Sequence, residues 1–227
     1  LGRRYLRGAR ARRRAERWAA ALVAGVRSGR CSVPGTALEA VAVHRGRDGR
    51  PLSDRVAGVE LLNILRPTVA VAYFVGFAAD ALAADPALRD RLAGGGEDVL
   101  EAFAHEVRRH YPFVPMLAAR AKASAEVGGC PVRPGRRVLL DVYGTLHDPA
   151  LWAEPERFDL DRFLGVEPDP FTYFPQGGGD PATGHRCPGE RIAVELIKTA
   201  ARHLVGDRPS ASRSGGYSLR RMPSRPR

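Results

Sequence analysis

Apolar positions recur along this chain with a helical period over most of its length and with a shorter period over one internal stretch. Residues 12–26 place Ala, Leu, Val and Trp at helical spacing, and SGRCSVPGTA then breaks the pattern with glycine and proline. A second pattern opens near Ser53 and Asp54, both good N-caps, and runs to about residue 85, just before Pro86. It predicts the longest helix of the chain. The strongly apolar run within it, residues 68–79, is short for a bilayer and is followed by Asp80. The pattern therefore predicts a helix buried on most sides by protein, and no transmembrane segment. Pro67 lies inside this helix and must remove one backbone hydrogen bond, kinking or widening it locally.

Two shorter helices are predicted at 86–92 and 98–110, the second stopped by the prolines of YPFVP. The period then changes. AEVGGCPVRPGRRVLLDVYG predicts short strands joined by Gly and Pro turns, with residues 138–142 the firmest. An irregular stretch follows, punctuated by Pro149 and Pro155 and plugged by Phe158 and Phe163. It leads to the glycine-rich loop FPQGGGDPATGHRCPGE, a helix over about 188–204 and a closing strand before Met222. The fold class is mainly α with a minor β-sheet. With no repeat and no obvious linker, residues 1–227 read as one domain.

Composition adds little to this and excludes some classes of function. The 36 basic and 25 acidic residues leave a net charge of +11, and only Lys122 and Lys198 are lysines. A guanidinium surface suits phosphate, anionic lipid or an acidic partner. A chain rich in Ala, Gly, Pro and Arg carries such a charge without any partner, and no aromatic residues interleave a basic face, so nucleic acid is not expected. Cys31, Cys130 and Cys187 have no CxxC spacing, which argues against a disulfide framework or a zinc site and for a reducing, cytoplasmic setting. Cys31 and Cys130 are read as structural. The Arg-rich opening lacks the layout of a signal peptide.

Cys187 is the residue whose surroundings ask for chemistry. A thiol just before a helix N-terminus feels the positive end of that helix, which favours thiolate, the form that attacks electrophiles or binds metal. Three uses are open: a structural cysteine, a nucleophile, or an axial ligand to iron. A structural cysteine does not call for Gly177, Gly178, Gly179 and Gly184 around it. Glycines let the backbone approach a flat or bulky object and aim N–H groups at a sulfur. His185 and Arg186 would suit anionic groups on that object. A second constellation is Glu106 and Arg109, at i and i+3 on one helix, ordinarily a solvated surface pair. Arg157, in PERF, is placed to join them as a second guanidinium.

The order of these motifs resembles the haem-thiolate cytochromes P-450. Glu106-Val107-Arg108-Arg109 looks like the Glu-x-x-Arg of their K helix, residues 155–158 like the segment whose arginine completes that triad, and GHRCPGE like the haem-ligand loop and the start of the L helix. The resemblance implies haem b (iron protoporphyrin IX) as cofactor, with Cys187 as proximal ligand, His185 at a propionate and Gly189 permitting the helix start beneath the ring. Gln176 is read either at the haem edge or as a stabiliser of the loop. The likeness spans the chain from the family's I helix to its L helix, so residues 1–227 are expected to be the C-terminal haem-binding portion of a longer domain whose N-terminal half is absent.

Two departures narrow the resemblance. In the family's loop pattern, Phe-x-x-Gly-x-Arg/His-x-Cys-x-Gly, the phenylalanine position is here Asp180 and the first glycine Thr183. The long helix lacks the usual acid and alcohol that deliver protons to iron-bound dioxygen, and carries NILRPTVAVAYF instead. Both departures resemble the bacterial fatty-acid peroxygenase branch, which shares the Arg-Pro pair and the extended Gln-Gly-Gly-Gly loop. That branch implies hydrogen-peroxide-dependent α- or β-hydroxylation, or oxidative decarboxylation, of long-chain fatty acids, without a redox partner. Arg66 would hold the substrate carboxylate, which then serves as acid-base group, and Pro67 would open the helix beside the iron. A surface role for Arg66 is the plainer alternative. Phe113 and Met116 are read as lining the substrate pocket, with core packing equally open. A conventional monooxygenase using dioxygen, NAD(P)H and a redox partner, and an inactive fragment, are the competing functions.

Overall fold

The structure is a computed structural model that describes residues 3–206 and 216–220. Two compact units divide the chain, 1–70 and 71–227.

The first unit holds α1 (Arg3–Arg27), α2 (Ala37–Val43) and the start of α3 (Asp54–Ala84). Helix α1 begins well before the apolar pattern does, because arginine and alanine are good helix formers and its first turns need no buried stripe. Val23 and Ala19 of α1, Val41 and Ala42 of α2, and Ala57 and Leu61 of α3 form the core of this unit. A side chain at Gly58 would come within 2.7 Å of the Ala20 nitrogen, so the crossing of α1 and α3 requires glycine. Arg27 ties the unit together by donating to Ala42 O (2.9 Å), Leu52 O (2.8 Å) and Asp54 Oδ1 (2.6 Å). Helix α2, which the sequence did not announce, is N-capped by Thr36.

Helix α3 runs unbroken past Pro67. Its described burial corrects the expectation of a helix wrapped by protein. Phe74, Phe77, Ala78, Ala81 and Leu82 form one buried stripe at helical spacing, but Ile64, Leu65 and Val69 are exposed, Val69 at 70%. By length and composition alone the helix would pass as a membrane span. The buried stripe and the charge of Arg66 midway argue for a core helix instead.

In the second unit Asp85 caps α4 (Pro86–Gly94), accepting from the amides of Ala87 (2.9 Å) and Leu88 (3.3 Å). Helix α5 (Glu97–His110) buries Leu100, Phe103, Ala104 and Val107 and, with them, three charged residues: Glu106, Arg108 and Arg109. Strand β1 (Met116–Arg120) pairs antiparallel with β4 (Arg137–Asp141), Met116 opposite Asp141, and β2 (Ala125–Val127) pairs with β3 (Cys130–Val132). Val142, expected as the end of a strand, instead opens α6 (Val142–Leu146), because Asp141 accepts from the amide of Gly144 and turns the chain into a helix. A 3-10 turn, Leu160–Phe163, precedes the cysteine loop and α7 (Glu190–Gly206). The expected closing strand lies partly outside the described residues; within it, the Tyr217 ring stands edge-on to Phe77 at 5.0 Å.

Candidate functional site

Helix α5 is the pedestal of the site, and its two adjacent arginines work in different directions. The Arg109 guanidinium is fully buried and bidentate to Glu106, with Nε and Nη2 each 2.7 Å from a carboxylate oxygen. Its remaining donors reach the carbonyls of Leu146 (2.8 Å), Pro155 (2.9 Å) and Arg157 (3.2 Å). Glu106 also accepts from the amide of Asp159 at 2.8 Å. Burial raises the Glu106 carboxyl above its ordinary value, against the opposing pull of Arg109. One residue pair thus stitches α5 to α6 and to the irregular segment after it.

The second guanidinium of this cluster is Arg162, not Arg157. Arg162 Nε lies 3.5 Å from Glu106 Oε1 and its side chain is 11% exposed. Arg157 keeps its side chain 63% exposed, paired at 3.1 Å with Glu154, and contributes to the cluster only through its backbone oxygen. The sequence offers two Arg-Phe pairs five residues apart, PERF and LDRF, and the 3-10 turn that carries the second aims it inward.

The cysteine loop doubles back tightly. The Cys187 amide donates to Gln176 O (2.9 Å), and the Glu190 amide donates to Cys187 O (3.2 Å) where α7 begins. Gly177 sits at φ +94°, and any side chain there would collide with the carbonyl oxygen of His185. The two positions that depart from the common loop pattern make each other's turn. Asp180 Oδ1 accepts from the amides of Ala182 and Thr183, both 2.9 Å, and from the Thr183 hydroxyl at 3.0 Å, and those bonds hold its carboxyl below its ordinary value.

Cys187, a free and half-buried thiol, borders two cavities of different character. One is largely apolar, lined by Val114, Leu117, Val142, Phe174 and Pro175 around the sulfur, with Phe113, Gln176, Gly177 and His185 at its edge. The other is charged, with Arg108, Arg186, Arg191, Glu101 and Glu195 among its walls. Phe113 borders this apolar cavity, and its ring also packs on Phe74 at 4.5 Å. Met116 lies on β1, 40% exposed, and does not line the apolar cavity. A side chain at Gly189 would stand 3.8 Å from the sulfur, an ordinary contact. Gln176 turns its amide oxygen to Arg108 Nε at 2.8 Å. Arg66 and Pro67 lie in the first unit on the exposed part of α3, and Arg66 makes no hydrogen bond or ion pair among the described residues.

The donor set fits haem. Among the described residues no three His, Cys, Asp or Glu side chains gather to hold a metal ion, so a metal at Cys187 must bring its other ligands with it. An apolar slot beside a single sulfur, edged by an exposed histidine, suits a flat tetrapyrrole with propionates at its rim.

The comparisons agree with this geometry. Residues 98–205 match the family model for cytochrome P450. A 175-residue stretch is 28% identical to a Mycobacterium tuberculosis protein named cytochrome P450 138, covering 73% of this chain and 39% of that one. Among solved structures, cytochrome P450SP alpha with (R)-ibuprophen superposes with a TM-score of 0.85 at 44% identity, over 95% of this chain and 54% of that one. Cytochrome P450EX alpha with myristic acid gives 0.88 at 41%, over 100% and 56%. A variant of cytochrome P450 OleT with arachidonic acid gives 0.88 at 34%, over 99% and 54%. The chain therefore spans about half the length of the solved relatives it matches. With the family match over residues 98–205 and the fold it shares with these structures, the chain belongs to the cytochrome P450 family and carries part of its fold, with haem b as the cofactor.

Proposed function

We propose that the protein carrying this chain oxidises long-chain fatty acids with hydrogen peroxide, hydroxylating the α or β carbon or removing the carboxyl group to leave a terminal alkene. The observation that carries this reading is the charge pattern of α3. Between Glu60 and Asp80 the only charged side chain is Arg66, in a stretch where Ile64, Leu65 and Val69 are also uncovered. A guanidinium set among apolar side chains calls for an anion, and a fatty acid offers a carboxylate attached to an apolar chain. The myristic and arachidonic acids in two of the matching structures support the same substrate class.

Haem held by Cys187 supplies the two-electron oxidation of a C–H bond. Hydrogen peroxide already carries the electrons that dioxygen would have to receive, so no reductase enters the balance: a C–H bond and peroxide become a C–OH bond and water. In the decarboxylating variant the acid and one peroxide give an alkene, carbon dioxide and two waters. What peroxide does need is a group to move its proton, and α3 provides no acid or alcohol pair for it. The carboxylate paired with Arg66 fills that role, so the substrate completes the machinery. Pro67 lacks an amide hydrogen and so leaves one carbonyl of the preceding turn without its helical donor next to the anchor.

The test is turnover of a long-chain fatty acid with hydrogen peroxide and no reductase, followed as hydroxy acid or alkene. Product under these conditions, abolished by Arg66→Ala, is expected. Turnover only with a reductase and NAD(P)H would assign the protein to dioxygen-dependent chemistry, and normal turnover by Arg66→Ala would remove the anchor.

A further inference from the structure

Arg108 is a fully buried arginine that the Glu106–Arg109 cluster does not use. A guanidinium out of water must have its donors satisfied, so its partners report what it is for. Nε donates to the side-chain oxygen of Gln176 at 2.8 Å, Nη2 is ion-paired with Glu190 Oε1, and Nη1 lies 3.1 Å from His105 Nδ1. Its carbon sits 5.3 Å from the centroid of the Tyr173 ring, whose hydroxyl donates to His105 O at 2.8 Å. The other oxygen of Glu190 accepts from Arg186 Nε at 2.5 Å.

Gln176 and Glu190 are also the residues that hold the Cys187 backbone. Gln176 accepts the cysteine amide through its main-chain oxygen, and Glu190 donates its own amide to the cysteine carbonyl. One guanidinium therefore grips, by their side chains, the two residues that grip Cys187 by its peptide groups. The loop between them is glycine-rich, and its other bonds, the Asp180 turn and the Gly179 amide to Pro170 O, are not made to Cys187. A planar fork with donors pointing three ways can reach the amide, the carboxylate and the imidazole together; an ammonium on a flexible stem cannot.

We propose that Arg108 is a positioning residue that sets the orientation of Cys187, acting through Gln176 and Glu190. This rests on Cys187 being the haem ligand, and is independent of the oxidant and of the substrate. Arg108 itself touches neither the sulfur nor the reacting atoms in this arrangement.

The test uses two readouts on the haem-loaded protein: hydrogen exchange at the Cys187 amide, and the share of the ferrous carbonyl complex that shows the thiolate-type Soret band. Loss of a charge-assisted hydrogen bond predicts that Arg108→Met speeds exchange at this amide by roughly tenfold or more. The same variant is expected to convert much of the carbonyl complex to a form lacking the thiolate band. Arg108→Lys should behave like Arg108→Met, since it restores charge without the fork. Should both fail to fold, Gln176→Leu and Gln176→Glu decide the matter. The first removes one arm and should loosen the amide; the second keeps an acceptor for Arg108 and should retain the parent's exchange and spectrum. Unchanged exchange in Arg108→Met, or in Gln176→Leu where that variant is the one that folds, overturns the proposal. A parent protein without any thiolate band would instead sink haem ligation by Cys187, while amide exchange still decides whether Arg108 orients the loop.

Discussion

Replacing Arg109 by methionine tests how much of the second unit hangs on one side chain. The substitution keeps the volume of the stem and removes five donated bonds, two to Glu106 and three to the carbonyls of Leu146, Pro155 and Arg157. Leaving a buried carboxylate without its partner costs about 3–5 kcal/mol, and each buried carbonyl deprived of its donor adds on the order of 1 kcal/mol or more, not additively. A loss of about 5 kcal/mol or more is therefore expected, against a total stability for most proteins of about 5–15 kcal/mol. With a urea slope of about 2 kcal/mol per molar, the unfolding midpoint should fall by about 2 M or more, or the variant should not accumulate folded. The double variant Glu106→Met/Arg109→Met should be more stable than Arg109→Met alone, because it removes the stranded charge. An Arg109→Met midpoint within about 0.3 M of the parent, or a double variant worse than the single one, would refute the assignment of Arg109 as the tie between α5 and α6.

Three further outcomes follow from the same geometry. Arg157→Ala should change stability by less than about 0.5 kcal/mol, its side-chain pair with Glu154 being exposed, while Arg162→Ala should cost about 1.5–3 kcal/mol by denaturant unfolding; equal costs would contradict the placement of Arg162 at Glu106. Gly177→Ala should abolish haem incorporation in a titration with haemin, since the backbone conformation and the His185 carbonyl both exclude a side chain; parent-like uptake would show that the loop does not fold as described. Burial, with the charges of Arg108 and Arg109 adding to it, pushes His105 and His110 down to about 4, so both stay neutral in the folded protein while the unfolded chain protonates them near pH 6.5. Their contribution is complete above about pH 6.5 and is lost as the pH falls toward about 4, at most about 3 kcal/mol each, and a denaturation midpoint that is flat across that window would contradict their burial.

Much of this was legible in the sequence, and the parts that were not share physical causes. Helices α3, α4, α5 and α7 followed from periodicity and from Pro86 and the YPFVP stop. Strand β1 did not, because MLAAR is exposed on both faces and shows no alternation; only its pairing with β4 makes it a strand. The exposure of Ile64, Leu65 and Val69 was invisible because hydropathy reports that a segment is apolar, not what covers it. Arg162 was missed because the four letters of PERF matched a familiar pattern, while the residue that reaches Glu106 lies five residues later. Arg108 did leave a signal. It stands at the position that continues the Leu100, Ala104 stripe of α5, and a charged residue on an apolar stripe asks for a buried partner. Cys187 was found because its neighbours, rather than the sulfur itself, were unusual.

The most direct test of the account is the absorption spectrum of the ferrous carbonyl complex of the haem-loaded protein and of its Cys187→Ser variant. The parent is expected to show the red-shifted Soret band of a thiolate-ligated haem, and the variant to lose it. The same band in both proteins would mean that some group other than Cys187 holds the iron, and the functional reading built on that sulfur would fail.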